Sequence, residues 1–365
     1  MARLRIKDIA ERAQVSPATV SRYLNGKWDA MSVATRERIA RVIEQTGYRP
    51  SNAARSLRTE RSRTVGVVLA DIRNPYSAAM LEELDARAAE QGLSLMTATS
   101  GNDATREQAA IERLVDAGVD GLVVNSCADN AEALAQAASR VPCVLLDRDV
   151  PGCELSLVTS NNKALVAGLV AELYRAGCER LYLLNEHNAT SLIRQERARA
   201  FEADLAARGL GGSVVTLTSD AAGAAAQLNA LARDEQGCAA GTPGATRGCA
   251  AGTPEATRGC AAGTGPARTA EAPVGIIAIN GLVLLRLIEA LGGTDAATLG
   301  RLRIATFDEY AWNRVLLGGI TTAVQDTRAI ARTALELLAS EDGAGERPRR
   351  TEIPGRIIAR PSTQP

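Results

Sequence analysis

Three sets of side chains in this 365-residue chain have the types and spacing to do chemistry. The first is Pro17, Ala18, Ser21 and Arg22, on one side of a short predicted helix. A small, polar, arginine-bearing face suits the major groove of a duplex, where a guanidinium can pair with guanine through two bonds. The second is Arg194 and Arg197 in SLIRQERARAF. Three residues apart on a helix, they share nearly one face, and two guanidinium groups aimed at one place favour a carboxylate. The third is a row of polar residues ending apolar strands: 71–76 (with Asn74 and Tyr76), Asn125-Ser126, Asp147-Arg148, Ser160-Asn161-Asn162, Asn185-Glu186, Asn280-Gly281 and Asp308-Glu309. Such ends suit a hydroxylated ligand, because open α/β sheets bind ligands beyond the carboxyl ends of their strands. Each could equally cap the helix that follows, Asn74, Asn161 and Asp308 in particular. Catalysis has less to draw on. His187 is the only histidine, which speaks against a Ser-His-Asp triad or a histidine metal site. No Gly-rich phosphate loop follows a strand, and no cofactor is expected. Seven cysteines without a CxxC pair do not suit a disulfide framework or a zinc site.

The arginine-bearing helix needs a scaffold, and residues 6–26 supply one. Ile6, Ile9, Ala10 and Ala13 fall at i, i+3, i+4 and i+7, the apolar stripe of a first helix. Gln14 and Val15 break it. Ser16 is a good N-cap, Pro17 suits the first helical position, Val20 and Leu24 form the buried side, and Asn25-Gly26 ends the second helix. An ordinary surface helix hairpin would show the same pattern. A third helix follows over 33–45, capped by Ser32, with Ile39, Val42 and Ile43 facing in and Gly47 closing it. Then come GYRPSNAARSL, residues 47–57, and a charged stretch to Arg63. SPATVSRYLNG, the third helix with TRERI, and GYRPSNAARSL, in this order and spacing, resemble the LacI-type family of bacterial transcriptional regulators. Two positions depart from the family pattern. Arg5 stands where members often place a threonine cap, and its side chain cannot accept N–H bonds, though Asp8 suits the helix N-terminus. Trp28, in KWDAM, either packs on the third helix or lies near the DNA backbone.

Charge divides the chain. The formal net charge is zero, but residues 1–63 carry a net of +8 and the remainder a net of −8. A basic head on an acidic body fits a nucleic-acid contact made by the head alone. The N-terminus has no apolar run of signal-peptide length and no segment long enough to span a bilayer follows, so a cytoplasmic protein is expected. Beyond Arg63, strands and helices alternate. Strands are expected at 64–71, 93–99, 120–126, 142–147, 156–160, 180–186, 213–218, 274–279, 301–307, 320–324 and 351–360, with helices between most of them. Strand–helix alternation with apolar strands implies parallel sheets covered on both faces. ITTAV (320–324) and the helix over 327–339 look like a return to the first half. Residues 234–273 stand apart: GCAAGTPGATR, GCAAGTPEATR and GCAAGTGPAR repeat an eleven-residue unit rich in Gly, Ala, Thr and Pro. It has no large apolar residue to bury, so disorder is the expectation, and no function is assigned to its recurring Cys238, Cys249 and Cys260.

The resemblance implies an N-terminal all-α helix-turn-helix head (1–50), a hinge helix and linker (51–63), and an α/β periplasmic-binding-protein-like body of two doubly wound parallel-sheet subdomains. Residues 64–161 with 326–345 form one subdomain, and 162–325 with 346–365 the other. In the head it implies that Pro17, Ala18 and Arg22 project at base edges, with Thr19, Ser21 and Asn25 as phosphate contacts, which position without specifying. In the hinge, Leu57 wedges into the minor groove, and Ala54 beside Ala53 lets two hinge helices approach, with Arg55 counted among the DNA-binding residues. In the body it places Arg197 on the ligand-facing side of its helix. Asn74, Tyr76, Asp147, Asn161, Arg194, Arg197, Asn280 and Asp308 are the expected ligand set. VTSNN, SLIRQER and ATFDEYAW are similar to the branch of regulators that answers ketogluconate-type sugar acids. The implied partners are an operator in double-stranded DNA, a sugar or sugar-acid effector and a second copy of the chain, with no membrane. The alternatives are an effector that is a neutral sugar or nucleoside, or a cytoplasmic sugar-binding protein without a regulatory role. An enzyme on this fold would need an acid–base pair in the cleft, and none stands out.

Overall fold

The computed structural model describes residues 4–29, 31–48, 61–127, 130–186, 192–218, 220–232, 272–292, 294–340 and 349–364. The hinge residues Ala54, Arg55 and Leu57, His187 and the eleven-residue repeat lie outside them.

Helices α1 (Ile6–Arg12), α2 (Pro17–Leu24) and α3 (Val33–Thr46) form the head. They close on Ile9, Ala10, Ala13, Val20 and Ile39, the residues whose spacing defines the apolar stripes. Ser16 Oγ accepts from Thr19 N at 3.2 Å and Ser32 Oγ from Thr35 N at 3.3 Å, so both expected caps are made. Gly47 ends α3 at φ 58°, a left-handed conformation that costs glycine little. The Arg5 side chain makes no cap bond, and the Asp8 carboxylate instead accepts from Arg5 N at 2.6 Å. Trp28 packs on the third helix. The Arg36 guanidinium lies 4.3 Å over its ring, and its Nε1 donates to Tyr23 O at 3.2 Å.

The body runs β1 (Thr64–Leu69), α4 (Pro75–Glu90), β2 (Ser94–Thr99), α5 (Ala104–Asp116), β3 (Gly121–Val124), α6 (Ala131–Ala138), β4 (Cys143–Leu146) and β5 (Ser156–Ser160). It continues with α7 (Asn162–Arg175), β6 (Arg180–Glu186), α8 (Leu192–Arg208), β7 (Gly211–Leu217), α9 (Ala221–Ala232), β8 (Val274–Ala278), α10 (Gly281–Leu291), α11 (Ala296–Arg301) and β9 (Leu302–Phe307). It ends with β10 (Thr321–Val324), α12 (Thr327–Ser340), β11 (Arg350–Ile353) and β12 (Arg356–Ile358). Two six-stranded sheets result, in the orders β11-β5-β4-β3-β1-β2 and β12-β10-β9-β8-β6-β7. Every pairing is parallel except β10 with β12. The strands read as unbroken apolar runs because alternate residues serve opposite faces. Val67, Val123 and Val144 pack with α4 and α12, while Val68, Val124 and Leu145 pack with α5 and α6.

The chain passes between the sheets after β5, after β10, and between β11 and β12. Polar bonds tie these passages together. Ser160 Oγ donates to Gln325 Oε1 at 2.7 Å, and Gly355 N donates to Asn161 Oδ1 at 2.8 Å. A Cβ on Gly355 would stand 2.5 Å from Val324 O, so glycine is what lets two passages lie side by side.

Three sequence expectations change here. ITTAV does not return to the first half: β10 pairs with β9 and β12 in the second sheet, and only α12 after it packs on the first. Residues 346–365 do not belong wholly to the second half. The single strand expected over 351–360 is broken at Pro354-Gly355, and β11 pairs with β5 of the first sheet. Helix α11 was not expected. It is capped by Asp295, which accepts from Thr298 N at 2.9 Å, and it buries no side chain fully, so it leaves no periodic signal.

Candidate functional site

On the head, α2 turns Val20 inward and leaves Pro17, Ala18, Arg22 and Asn25 exposed, with Thr19 and Ser21 half-buried. Local bonds occupy most of the polar groups. Thr19 Oγ1 lies 2.9 Å from Ser16 Oγ, and Asn25 Nδ2 donates to Ser21 O at 2.5 Å. Arg22 has no ion-pair partner among the described residues. The outer face of α2 is therefore two small apolar side chains beside one long unengaged cation, a shape that can press against base edges and reach a guanine.

In the body, residues from both halves converge beyond the carboxyl ends of the strands. Asp147 follows β4, and Asp308 follows β9, its counterpart by position in the other sheet. The two are built alike. Both have left-handed backbones, φ 63° and 69°, and each N donates to the neighbouring strand: Asp147 to Val158 O at 2.7 Å, Asp308 to Ala323 O at 2.9 Å. Both are buried. Burial raises the carboxyl pKa of each above the usual range, and the Arg197 charge opposes that rise in both.

Arg197, on α8, is itself only 5% exposed. Its Nε donates to Asn162 Oδ1 at 2.7 Å and its Nη1 to Ile279 O at 2.9 Å, while its guanidinium lies 3.9 Å over the Phe307 ring. Fixed on three sides, it presents its charge to the two aspartates. Tyr76, at the start of α4, joins the cluster from the first half. Its phenol pKa is pushed well up, by burial first and then by the negative charges of Asp147 and Asp308. Tyr310 comes from the second half and stacks on Trp312 at 4.7 Å. Its ring lies against Gly281, where any Cβ would collide with it. Tyr76 Oη, Asp147 Oδ1 and Trp312 Nε1 are buried with no hydrogen-bond partner among the described residues. Buried polar atoms without partners are costly, and a group of them facing one cleft is what a bound hydroxylated molecule would satisfy.

The remaining expected residues take other positions. Asn74 Oδ1 accepts from Tyr76 N at 3.2 Å and Asn280 Oδ1 from Val283 N at 2.9 Å, so both cap helices beside the cleft. Asn161 holds the passage at Gly355. Arg194 is buried beside the cleft, and its Nη1 contacts Glu186 Oε2 at 3.1 Å. The expected ligand set leaves out Arg148 and Asn162, which stand in strand ends singled out from the sequence, and Tyr310 and Gln325, which do not. Arg148 donates to Asn102 Oδ1 at 3.0 Å, and Gln325 Nε2 donates to Asp308 Oδ1 at 2.5 Å. Burial lowers the Arg148 pKa, the Asp147 charge opposes that fall, and the charge of Arg194 from the other half adds to it. Each lies in or next to a strand end, but only the meeting of the two sheets gives it a role.

Comparison with known proteins agrees with this construction. The family "Bacterial regulatory proteins, lacI family" matches residues 5–51, "Periplasmic binding proteins and sugar binding domain of LacI family" matches 62–238, and "Periplasmic binding protein-like domain" matches 170–363. The chain is 32% identical to the HTH-type transcriptional regulator PtxS of Pseudomonas plecoglossicida, over 99% of this chain and 96% of that protein. It is 29% identical to the HTH-type transcriptional regulator KdgR of Bacillus subtilis, over 98% and 97% of the two. The lac repressor dimer bound to operator and the anti-inducer ONPF shares its fold, with a TM-score of 0.79 at 18% identity over 100% of both chains. No helix among the described residues is long and apolar enough to cross a membrane. The match runs from the head through both halves of the body, and the chain belongs to the lacI family of bacterial regulatory proteins.

Proposed function

We propose that this regulator is a dimeric repressor whose hold on its operator is set by a sugar acid bound in the cleft. The observation that carries the effector class is three buried arginines beside the strand ends, Arg148 from the first half and Arg194 and Arg197 from the second, whose charges reach one another and the two aspartates. A carboxylate placed between Arg148 and Arg194 relieves their repulsion and joins the halves. Hydroxyls of the same molecule donate to Asp147 and Asp308 and meet the orphaned Tyr76 and Trp312 groups. Binding of this kind favours a closed cleft. In a dimer, closing shifts the two points where the chains leave toward the heads, so one binding event biases both heads.

A neutral sugar is the second reading, favoured by the Glu186 carboxylate that already engages Arg194. A thermal-shift screen separates the two. A ligand at about a hundred times its Kd adds about 2.7 kcal/mol to stability, which is easily read as a rise in Tm. Gluconate and 2-ketogluconate should raise Tm where glucose and ribose do not, and Arg148→Gln should abolish that rise. A rise with the neutral sugars alone assigns the cleft to them.

A further inference from the structure

The chain enters the body through a bend held by a single carboxylate. Asp120 ends the turn between α5 and β3, and its own N donates to Thr64 O at 2.7 Å. Its Oδ1 accepts from Ser62 N at 2.6 Å and from Ser62 Oγ at 2.9 Å, and its Oδ2 accepts from Arg63 N at 2.7 Å. Two successive backbone N–H groups thus converge on one carboxylate, and Arg63 itself is left-handed, at φ 56°. That conformation is unfavourable for arginine and persists only where its surroundings hold it. Arg63 adds to the hold. Its Nη2 donates to Gln91 O at 2.9 Å, just past α4, and its carbonyl accepts from Ser94 N at 2.9 Å.

The Asp120 side-chain bonds are not needed to build the strand. β1 begins at Thr64 and pairs with β2 and β3 from Thr64 and Val65 onward. What the carboxylate adds is a fixed direction for the two residues before it. Bonds from N–H groups to an ionised carboxylate are roughly twice as strong as neutral ones, so the bend is stiff. Residue 62 is where the body hands the chain to the linker, and Asp120 is bonded to neither the cleft residues nor the head.

We propose that Asp120 is a positioning residue for DNA binding: it sets the direction in which the linker leaves the body, and hence the spacing at which the two heads of a dimer meet their half-sites. This rests on the reading of the chain as a dimeric operator-binding regulator. The test uses the full-length protein. A palindromic operator is first selected from random duplex DNA with the wild type. Anisotropy titrations then compare that operator, the same operator with one base pair inserted at its centre, and an unrelated duplex. Asp120→Ala should bind the selected operator about tenfold more weakly, as expected for lost charged hydrogen bonds, and should discriminate less between the two spacings. Its affinity for unrelated DNA and its dimer mass should match the wild type, which a general loss of folding would not allow. Asp120→Asn keeps one acceptor oxygen and should fall between; it decides the matter if the alanine variant proves unstable. A folded Asp120→Asn or Asp120→Ala dimer with wild-type affinity and spacing preference overturns the proposal. Failure of the wild type to select any operator would instead overturn the reading beneath it.

Discussion

Removing the charge of Arg197 tests the cleft at its centre. Arg197→Met keeps most of the side-chain volume but deletes the bonds to Asn162 and Ile279 O and the cation between Asp147 and Asp308. Breaking a buried ion pair in contact costs about 3–5 kcal/mol, and loss of Arg197, which acts on both aspartates through its charge without a bond to either, should cost less than that. Here two carboxylates are left, one on each half, so the cost falls on the folded protein and on the arrangement that brings the halves together. A cost of this kind is comparable with the coupling of about 1–3 kcal/mol typical between an effector site and a distant one. The effector found by thermal shift should therefore cease to change operator affinity, while effector-free operator affinity changes little. Asp308→Asn in the same background removes one of the opposed charges and retains an oxygen for Gln325. The double variant should recover a large part of the lost Tm.

The pH dependence follows with a definite sign. Asp147 and Asp308 have folded-state pKa values raised above 3.8, their ordinary value. The folded protein then binds protons more tightly than the unfolded chain, so these groups add stability as pH falls toward the unfolded value and withdraw it as pH rises through the folded one. Losing Arg197 raises both pKa values further, so the Tm deficit of Arg197→Met should shrink as pH is lowered from about 7 to about 5. Full effector response in Arg197→Met, or no recovery of Tm on adding Asp308→Asn, refutes this account of the cleft.

Other outcomes follow from the head, the hinge and the insertion. Arg22→Ala should lose about 1–3 kcal/mol of operator binding and relax preference at one base pair per half-site, with unrelated DNA affected less; selection from random DNA that returns the same consensus would count against it. Leu57→Ala should weaken operator binding and leave the calorimetric affinity for the effector unchanged, since its expected task is to wedge a base step. Deleting residues 237–268 should leave Tm, dimer mass and operator titrations as in the wild type, because the repeat has nothing large and apolar to bury; loss of soluble dimer would show that it supports the fold.

The elements were legible where periodicity and burial coincide. The stripe of Ile9, Ala10 and Ala13 is the core of the head, and apolar runs such as 274–278 are central strands with both faces covered. Helix α11 escaped because it is short and packs only the half-buried Leu299 on the core, leaving no periodic stripe and only the Asp295 cap as a signal. The last strand looked single because its alternation continues across Pro354-Gly355, while the choice of sheet on either side depends on partners 190 or so residues away, as with Gly355 and Asn161. The cleft was readable as a set of strand ends, but not as an arrangement. Which asparagine caps a helix and which arginine meets an acid depends on how two sheets face each other. That is why Arg148 and Tyr310 were left out of the expected ligand set beside Asp147 and Asp308.

The matched aspartates have a consequence for how a ligand must lie. Two halves of like construction, each offering a carboxylate from the same corner, form a cleft with an approximate twofold axis, and a sugar entering it would meet much the same acceptors either way round. Arg197 belongs to one half only, and among its surroundings Asn162, Ile279 and Phe307 all come from that half. A buried cation held by one half alone gives the cleft a head and a tail. It makes one orientation of an asymmetric guest better than its reverse, and so lets a chamber made of two similar walls tell one end of a molecule from the other.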